Sequence, residues 1–251
     1  AKLSLVIRDE ANGLRRYCHL GTGNYNPKTA RMYEDLGILS ADPELTDDLT
    51  RLFNRLSGFA PQSTYSRLLV APLTLRSGII ERIDREIENQ KAGKPAGIQL
   101  KLNSILDEGF VEKIYQASQA GVKIDLLVRG ICAVQPGIKG VSENITVKSV
   151  LGRFLEHSRI FHFVNGGNNE YWIGSADLMG RNLDRRVESL VRIDKKEHQN
   201  RLQEILDLGL SAESSSWQLS GIEWTRVSKN SKGEALLDVH SAFIHTYSRE
   251  R

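Results

Sequence analysis

Little in this sequence points outside the cell or into a membrane. Cysteine is scarce: Cys18 and Cys132 lie far apart, make no Cys-x-x-Cys pair and match no zinc spacing. A disulfide framework is therefore not the organising device, and reduced thiols are expected. No apolar run approaches the ~18–20 residues of a bilayer span, so no transmembrane segment is expected. The opening residues read as a strand rather than a signal peptide. The expected location is cytoplasmic, with peripheral contact at the inner membrane face as a variant. Strong charge is lacking too. A net charge of +3 over 251 residues names no partner, and none is expected among nucleic acids. The 40% hydrophobic and 26% charged content is ordinary for a globular protein. The length allows one large or two modest domains.

What the chain does have is an internal repeat. An offset of 153 residues carries Gly21-Thr22-Gly23-Asn24-Tyr25 onto Gly174-Ser175-Ala176-Asp177-Leu178, Asp35 onto Glu188, and Glu44 onto Glu197. Upstream, Lys2-Leu3-Ser4-Leu5-Val6-Ile7 matches Arg159 to Val164 if the hairpin turn is four residues longer in the first copy. The second copy reads His157-Ser158-Arg159, and the first reads Ala1-Lys2. A histidine two residues before a cation, present in both halves, is the pattern of a two-histidine phosphoryl-transfer site. The counterpart of His157 is expected immediately before Ala1.

The hydrophobic pattern predicts strands over 2–7 and 14–20 around an Asn12-Gly13 turn, a strand over 33–40, and a helix from Asp42-Pro43 to about Leu56. From Ser66 onward, short strands at 68–71, 98–102 and 122–128 alternate with helices at 75–90 and 108–120. That alternation is the signature of a parallel sheet faced by helices. Strands at 145–150, 159–164 and 170–174 follow, then the repeated helix over 197–208. A polar linker at 211–216, an edge strand at 221–227 and a final helix at 234–247 are expected to close the chain.

His157 and Arg159 are the leading chemical candidates. On an extended strand residues i and i+2 share a face. An imidazole attacks phosphorus or moves a proton near neutral pH, and a guanidinium grips phosphate oxygens in a fork. The two glycine loops, including Asn24, offer small residues, backbone N–H groups and a hydroxyl for close approach of phosphate. Asp35 and Glu188, at equivalent positions, are candidates to fix the far ring nitrogen of one histidine each. Lys2, Lys101, Arg129, Arg153, Arg181, Arg185 and Arg186 fall in or beside loops at the strand ends, where cations stabilise transferring phosphate. Tyr33 is a candidate to hydrogen-bond a phosphate or pack on a base. His19 is at best secondary, and His162, His198, His240 and His245 read as structural or exposed.

At these residues the sequence resembles bacterial polyphosphate kinases, whose C-terminal half has a phospholipase D-like fold. The resemblance rests on Ala1-Lys2-Leu3, on Tyr17-Cys18-His19-Leu20-Gly21-Thr22-Gly23-Asn24-Tyr25-Asn26, and on Lys101-Leu102-Asn103-Ser104. It continues through Gly121 to Cys132, Phe154 to Arg159, and Ser175 to Glu188. It implies an α/β protein of two phospholipase D-like lobes, 1–65 and 66–251, with mixed, largely parallel sheets flanked by helices and the first lobe truncated. It also implies reversible transfer of the terminal phosphate of ATP to polyphosphate, through a phosphohistidine and with magnesium. The phosphorylated histidine would precede Ala1, and the magnesium ligands would lie upstream, with none in this chain. His157 would be a second active-site histidine, acting as general acid, with Tyr33 and Arg129 beside the nucleotide phosphates. This chain alone would bind ATP or ADP weakly and not turn over. A homo-oligomer is left open. Two other readings compete: a phospholipase D-like phosphodiesterase or nuclease, and a non-catalytic polyanion-binding module.

Overall fold

The computed structural model describes residues 1–59 and 64–248; residues 249–251 of the expected tail lie outside them. The chain opens with a hairpin of β1 (Leu3–Glu10) and β2 (Gly13–Gly21). A one-turn helix α1 (Pro27–Ala30), β3 (Tyr33–Glu34), β4 (Gly37–Ser40) and α2 (Pro43–Leu56) follow. The helix starts where the sequence predicts, because Asp42 accepts from the Leu45 amide at 2.9 Å and Pro43 takes the first helical position.

The next stretch runs β5 (Leu68–Ala71), α3 (Leu75–Lys91), β6 (Ile98–Leu102), α4 (Glu108–Gln119), β7 (Ile124–Val128) and β8 (Ile145–Ser149). Then come the two-residue β9 (Leu155–Glu156), β10 (Ile160–Phe163), β11 (Glu170–Gly174), α5 (Gly180–Asp184), β12 (Glu188–Ile193) and α6 (Lys196–Leu210). A hairpin of β13 (Ser216–Ser220) and β14 (Glu223–Val227) and the helix α7 (Val239–Ser248) complete the described chain.

Strands β1, β2 and β4 form one antiparallel sheet; nine others form a sheet ordered β14-β13-β8-β7-β6-β10-β11-β12-β5. That large sheet is mixed, as expected, but not largely parallel. Only β6–β7 and β7–β8 pair in parallel, while β10, β11, β12 and β5 join by antiparallel pairing. The reason is connection length. Parallel neighbours need a crossover such as α4, whereas β10 returns to β11 through the short Asn165–Gly167 turn. The central strands are apolar on both faces. Leu69, Phe161, Trp172 and Leu190 pack with α3 and α4, while their neighbours Leu68, Ile160, Ile173 and Val191 face α2 and α6. The opening segment shares its core with the rest of the chain: Cys18, Leu20, Leu45, Leu49 and Leu52 bury against that second face.

The repeat is visible as structure. Elements β1, α1 and α2 start at Leu3, Pro27 and Pro43; β10, α5 and α6 start at the matching Ile160, Gly180 and Lys196. The four extra residues of the first copy lie in longer hairpin arms and not in its turn, which is only Ala11-Asn12. The predicted 33–40 strand is broken at Asp35-Leu36: β4 joins the small sheet, and β3 pairs in parallel with β9. The predicted linker at 211–216 gives way to β13 at its end.

Candidate active site at the seam of the repeat

The β3–β9 ribbon brings the two copies together. The Leu155 amide donates to Met32 O at 2.7 Å and the His157 amide to Glu34 O at 2.9 Å. The ring of Tyr33 consequently stacks on that of His157, centroids 4.4 Å apart and planes 18° from parallel. Arg159 donates from Nη1 to His157 Nδ1 at 3.0 Å and to the His157 carbonyl at 2.6 Å. A guanidinium has no acceptor, so Nδ1 carries no proton and the ring hydrogen sits on Nε2. Loss of hydration, followed by the charges of Arg159, Lys2 and Arg129, lowers the His157 pKa to about 3. At neutral pH it is an uncharged imidazole among cations.

Asp177 fixes Arg159. Its carboxylate accepts from Nε at 3.2 Å and Nη2 at 2.9 Å, and from the amides of Asn103 and Ser104 at 2.8 and 3.3 Å. Arg129, at the end of β7, donates to the Asn103 side chain, while its buried Nε has no partner among the described residues. Burial, then Arg159, lowers its pKa. Lys2 Nζ makes no hydrogen bond or ion pair among the described residues, and its pKa falls through burial and then through Arg159 and Arg186. Lys2 and Arg129 thus keep unpaired donors beside the Arg159 charge, an arrangement that favours anions. A cleft of about 570 Å³ opens beside Tyr33 and Arg129, with Arg31 and Arg153 on its rim.

Several predicted residues stand elsewhere. Glu188 does not touch His157. Its carboxylate lies 3.3 Å from the Ala1 amino group and accepts from Asn182 at 3.2 Å. It begins β12, two strand spacings, roughly 9–10 Å, from the β10 that follows His157. Asp35 also misses His157. It turns over Gly23, where an added Cβ would sit 1.6 Å from Asp35 Oδ2. It lines a separate concavity with His19 and Asn24. Lys101 is committed rather than free: buried, it pairs with Glu34 at 2.8 Å and with Glu156. Burial opposes its charge, but the two carboxylates more than restore it. Arg181 is exposed on α5.

Sequence reasoning missed Asp177 as the carboxylate that orients the site, and with it Glu34, Glu156 and buried His240. The signal for Asp177 was the one formal charge by which the second glycine loop differs from the first. As for magnesium, no group of three or more His, Cys, Asp or Glu suited to a metal occurs among the described residues. The cationic lining around His157 would repel a bare divalent ion. These residues do not fit a resident metal.

Comparison with known proteins agrees with this geometry. Residues 1–62 match the family model "Polyphosphate kinase C-terminal domain 1" and residues 68–236 match "Polyphosphate kinase C-terminal domain 2". The chain is 54% identical to a polyphosphate kinase of Streptomyces coelicolor over 251 residues, covering 100% of this chain and 34% of that protein. It is 53% identical over 225 residues to one from Mycolicibacterium gilvum, covering 89% and 31%. The crystal structure of polyphosphate kinase from Porphyromonas gingivalis superposes with a TM-score of 0.90 at 35% identity, over 100% of this chain and 39% of that one. The chain spans about a third of the length of the curated relatives it matches. With the paired glycine loops and these matches over nearly its whole length, the chain belongs to the polyphosphate kinase family.

Proposed function

We propose that this chain, with residues 1–65 and 66–251 as its two lobes, supplies the anion-binding part of a phosphotransferase. The whole protein reversibly moves the terminal phosphate of ATP onto inorganic polyphosphate. In the forward half-reaction a histidine that, on the resemblance, precedes Ala1 attacks the γ-phosphorus. An N–P bond forms, the bond to the β-phosphate oxygen breaks, and ADP leaves. A terminal oxygen of polyphosphate then attacks the phosphorus, the N–P bond breaks, and the polymer grows by one unit. Magnesium would arrive with the nucleotide phosphates.

The observation that carries this reading is the cationic lining around an imidazole whose Nδ1 is already engaged: the clamped Arg159 beside Arg129 and Lys2, which keep donors unpaired among the described residues. Such a lining stabilises charge on transferring oxygens through positioning and electrostatics, the main demands of phosphoryl transfer. His157 offers Nε2–H as a donor. Filling the site with polyanion offsets the neighbouring cations and raises the His157 pKa, so that the ring acts as a general acid once the Arg159 contact to Nδ1 opens.

The test uses the full-length enzyme with ATP labelled at the terminal phosphate. Label should enter an acid-labile polymer, and His157→Ala should lower that rate about 10²-fold or more. Hydrolysis of diesters without polymer labelling would favour the phosphodiesterase reading. Unimpaired labelling by His157→Ala would favour a mere polyanion-binding module. The chain of 251 residues alone should bind ADP weakly and form no polymer.

A further inference from the structure

Helix α7 begins at Val239, beyond the matched stretch 68–236, yet it packs a buried histidine against the segment that leads into His157. The His240 imidazole is 2% exposed. Its Nδ1 accepts from the Phe154 amide at 3.2 Å, which leaves the ring proton on Nε2, and Nε2 donates to Glu156 Oε1 at 2.6 Å. The ring is wedged over Gly152, where an added Cβ would come within 2.4 Å of Nδ1. It thus grips the chain at 152, 154 and 156, immediately before His157.

This grip adds to a small set of holds on β9: two main-chain bonds to the first copy, the Lys101–Glu156 pair and the Ser158 hydroxyl on Glu34. The strand is two residues long and pairs with an equally short β3. Side chains alternate along it, so Glu156 leaves the strand on the side opposite His157, while still lining the cleft beside Arg129. Its carboxylate is shared between His240 and Lys101, and Lys101 in turn holds Glu34 of β3. We infer that His240 is a positioning residue for His157, fixing from helix α7 the short strand that aims the catalytic imidazole. The inference rests on the reading of His157 given above. His240 touches no candidate substrate atom; it acts through Glu156 and the Phe154 backbone.

The test is a set of variants in the full-length kinase, with rates normalised to folded protein. His240→Ala should lower kcat about tenfold or more, the scale of a displaced reactive group, with little change in KM for ATP. His240→Gln should recover most of kcat, because its amide nitrogen can replace Nε2 as donor to Glu156. Gly152→Ala leaves the histidine in place but pushes its ring aside, and should reproduce the kcat loss. Normal kcat in His240→Ala overturns the inference. Equal losses in the Ala and Gln variants, or losses that vanish on normalisation, also overturn it, since either outcome makes the role purely structural. Should His240→Ala not fold, Gly152→Ala decides: reduced kcat supports the inference and normal kcat overturns it. Full activity in His157→Ala would refute the functional reading itself, whereas an inactive His157→Ala beside a fully active His240→Ala refutes only the positioning role.

Discussion

The two copies of the repeat share a scaffold and differ in wiring. In the first, the Thr22 amide donates to Leu36 O at 2.9 Å and the Leu36 amide to Thr22 Oγ1 at 2.9 Å. In the second, the Ser175 amide donates to Ser189 O at 3.0 Å and the Ser189 amide to Ser175 Oγ at 3.2 Å. The glycine loops are pinned by the same bonds at matching positions. Beyond the pins the copies part. Asp177 clamps Arg159 in the second, while in the first the corresponding Asn24 is exposed and Lys2 Nζ is unpaired among the described residues. Ala176 fills a slot that in the first copy holds the Asp35 carboxylate, which is why Gly23 has no side chain. Backbone pins preserve the frame, and the charges set on it distinguish the copies. One presents a clamped guanidinium, the other an uncommitted ammonium.

The sharpest way to break this comparison is to remove the clamp. Asp177→Ala leaves a buried guanidinium and two amides without their acceptor, and should cost about 3–5 kcal/mol of stability, read from denaturant midpoints. If it costs no more than Asn24→Ala, the two loops are wired alike after all.

The next largest effect concerns ligand. Arg129→Ala should weaken ADP and polyphosphate binding by about tenfold or more, the worth of hydrogen bonds to charged groups, and reduce the salt sensitivity of binding. Calorimetric titration at several salt concentrations measures both. Arg181→Ala, exposed on α5, should change neither appreciably.

A pH series sharpens the contrast further. The unfolded chain protonates His157 near pH 6.5, whereas the folded site resists until about 3. Stability therefore falls as pH drops through that window, because the unfolded state binds more protons there. His157→Gln should flatten this part of the curve relative to the parent. Bound polyphosphate should move the His157 titration upward, as followed by imidazole NMR. The smallest effect belongs to Asn24→Ala, within about 0.5 kcal/mol of the parent stability.

Much of this was legible in the sequence where local rules decide. The repeated helix expected over 197–208 is α6 (Lys196–Leu210), and the shared face expected of His157 and Arg159 is realised as a hydrogen bond between them. What resisted reading depends on the register between distant segments. Glu188 and Asp35 align with each other, but which histidine a carboxylate meets is set by how many strands lie between them. Lys101 looked like a free cation because Glu34, 67 residues away in sequence, reaches it only once β3 and β9 pair. The large sheet is less parallel than the alternation of β5, β6 and β7 with α3 and α4 implies, because β5 goes to the far edge beside β12 and β10 to β14 pair antiparallel.

The β3–β9 ribbon has one more implication. Tyr33 and His157 come from opposite copies, and their ring stack is aligned by two main-chain bonds together with the bonds of Glu34 to Ser158 and Lys101. Prising the copies apart would unstack the tyrosine and strip the imidazole of its alignment together. Opening at that seam and alignment of the imidazole therefore exclude one another.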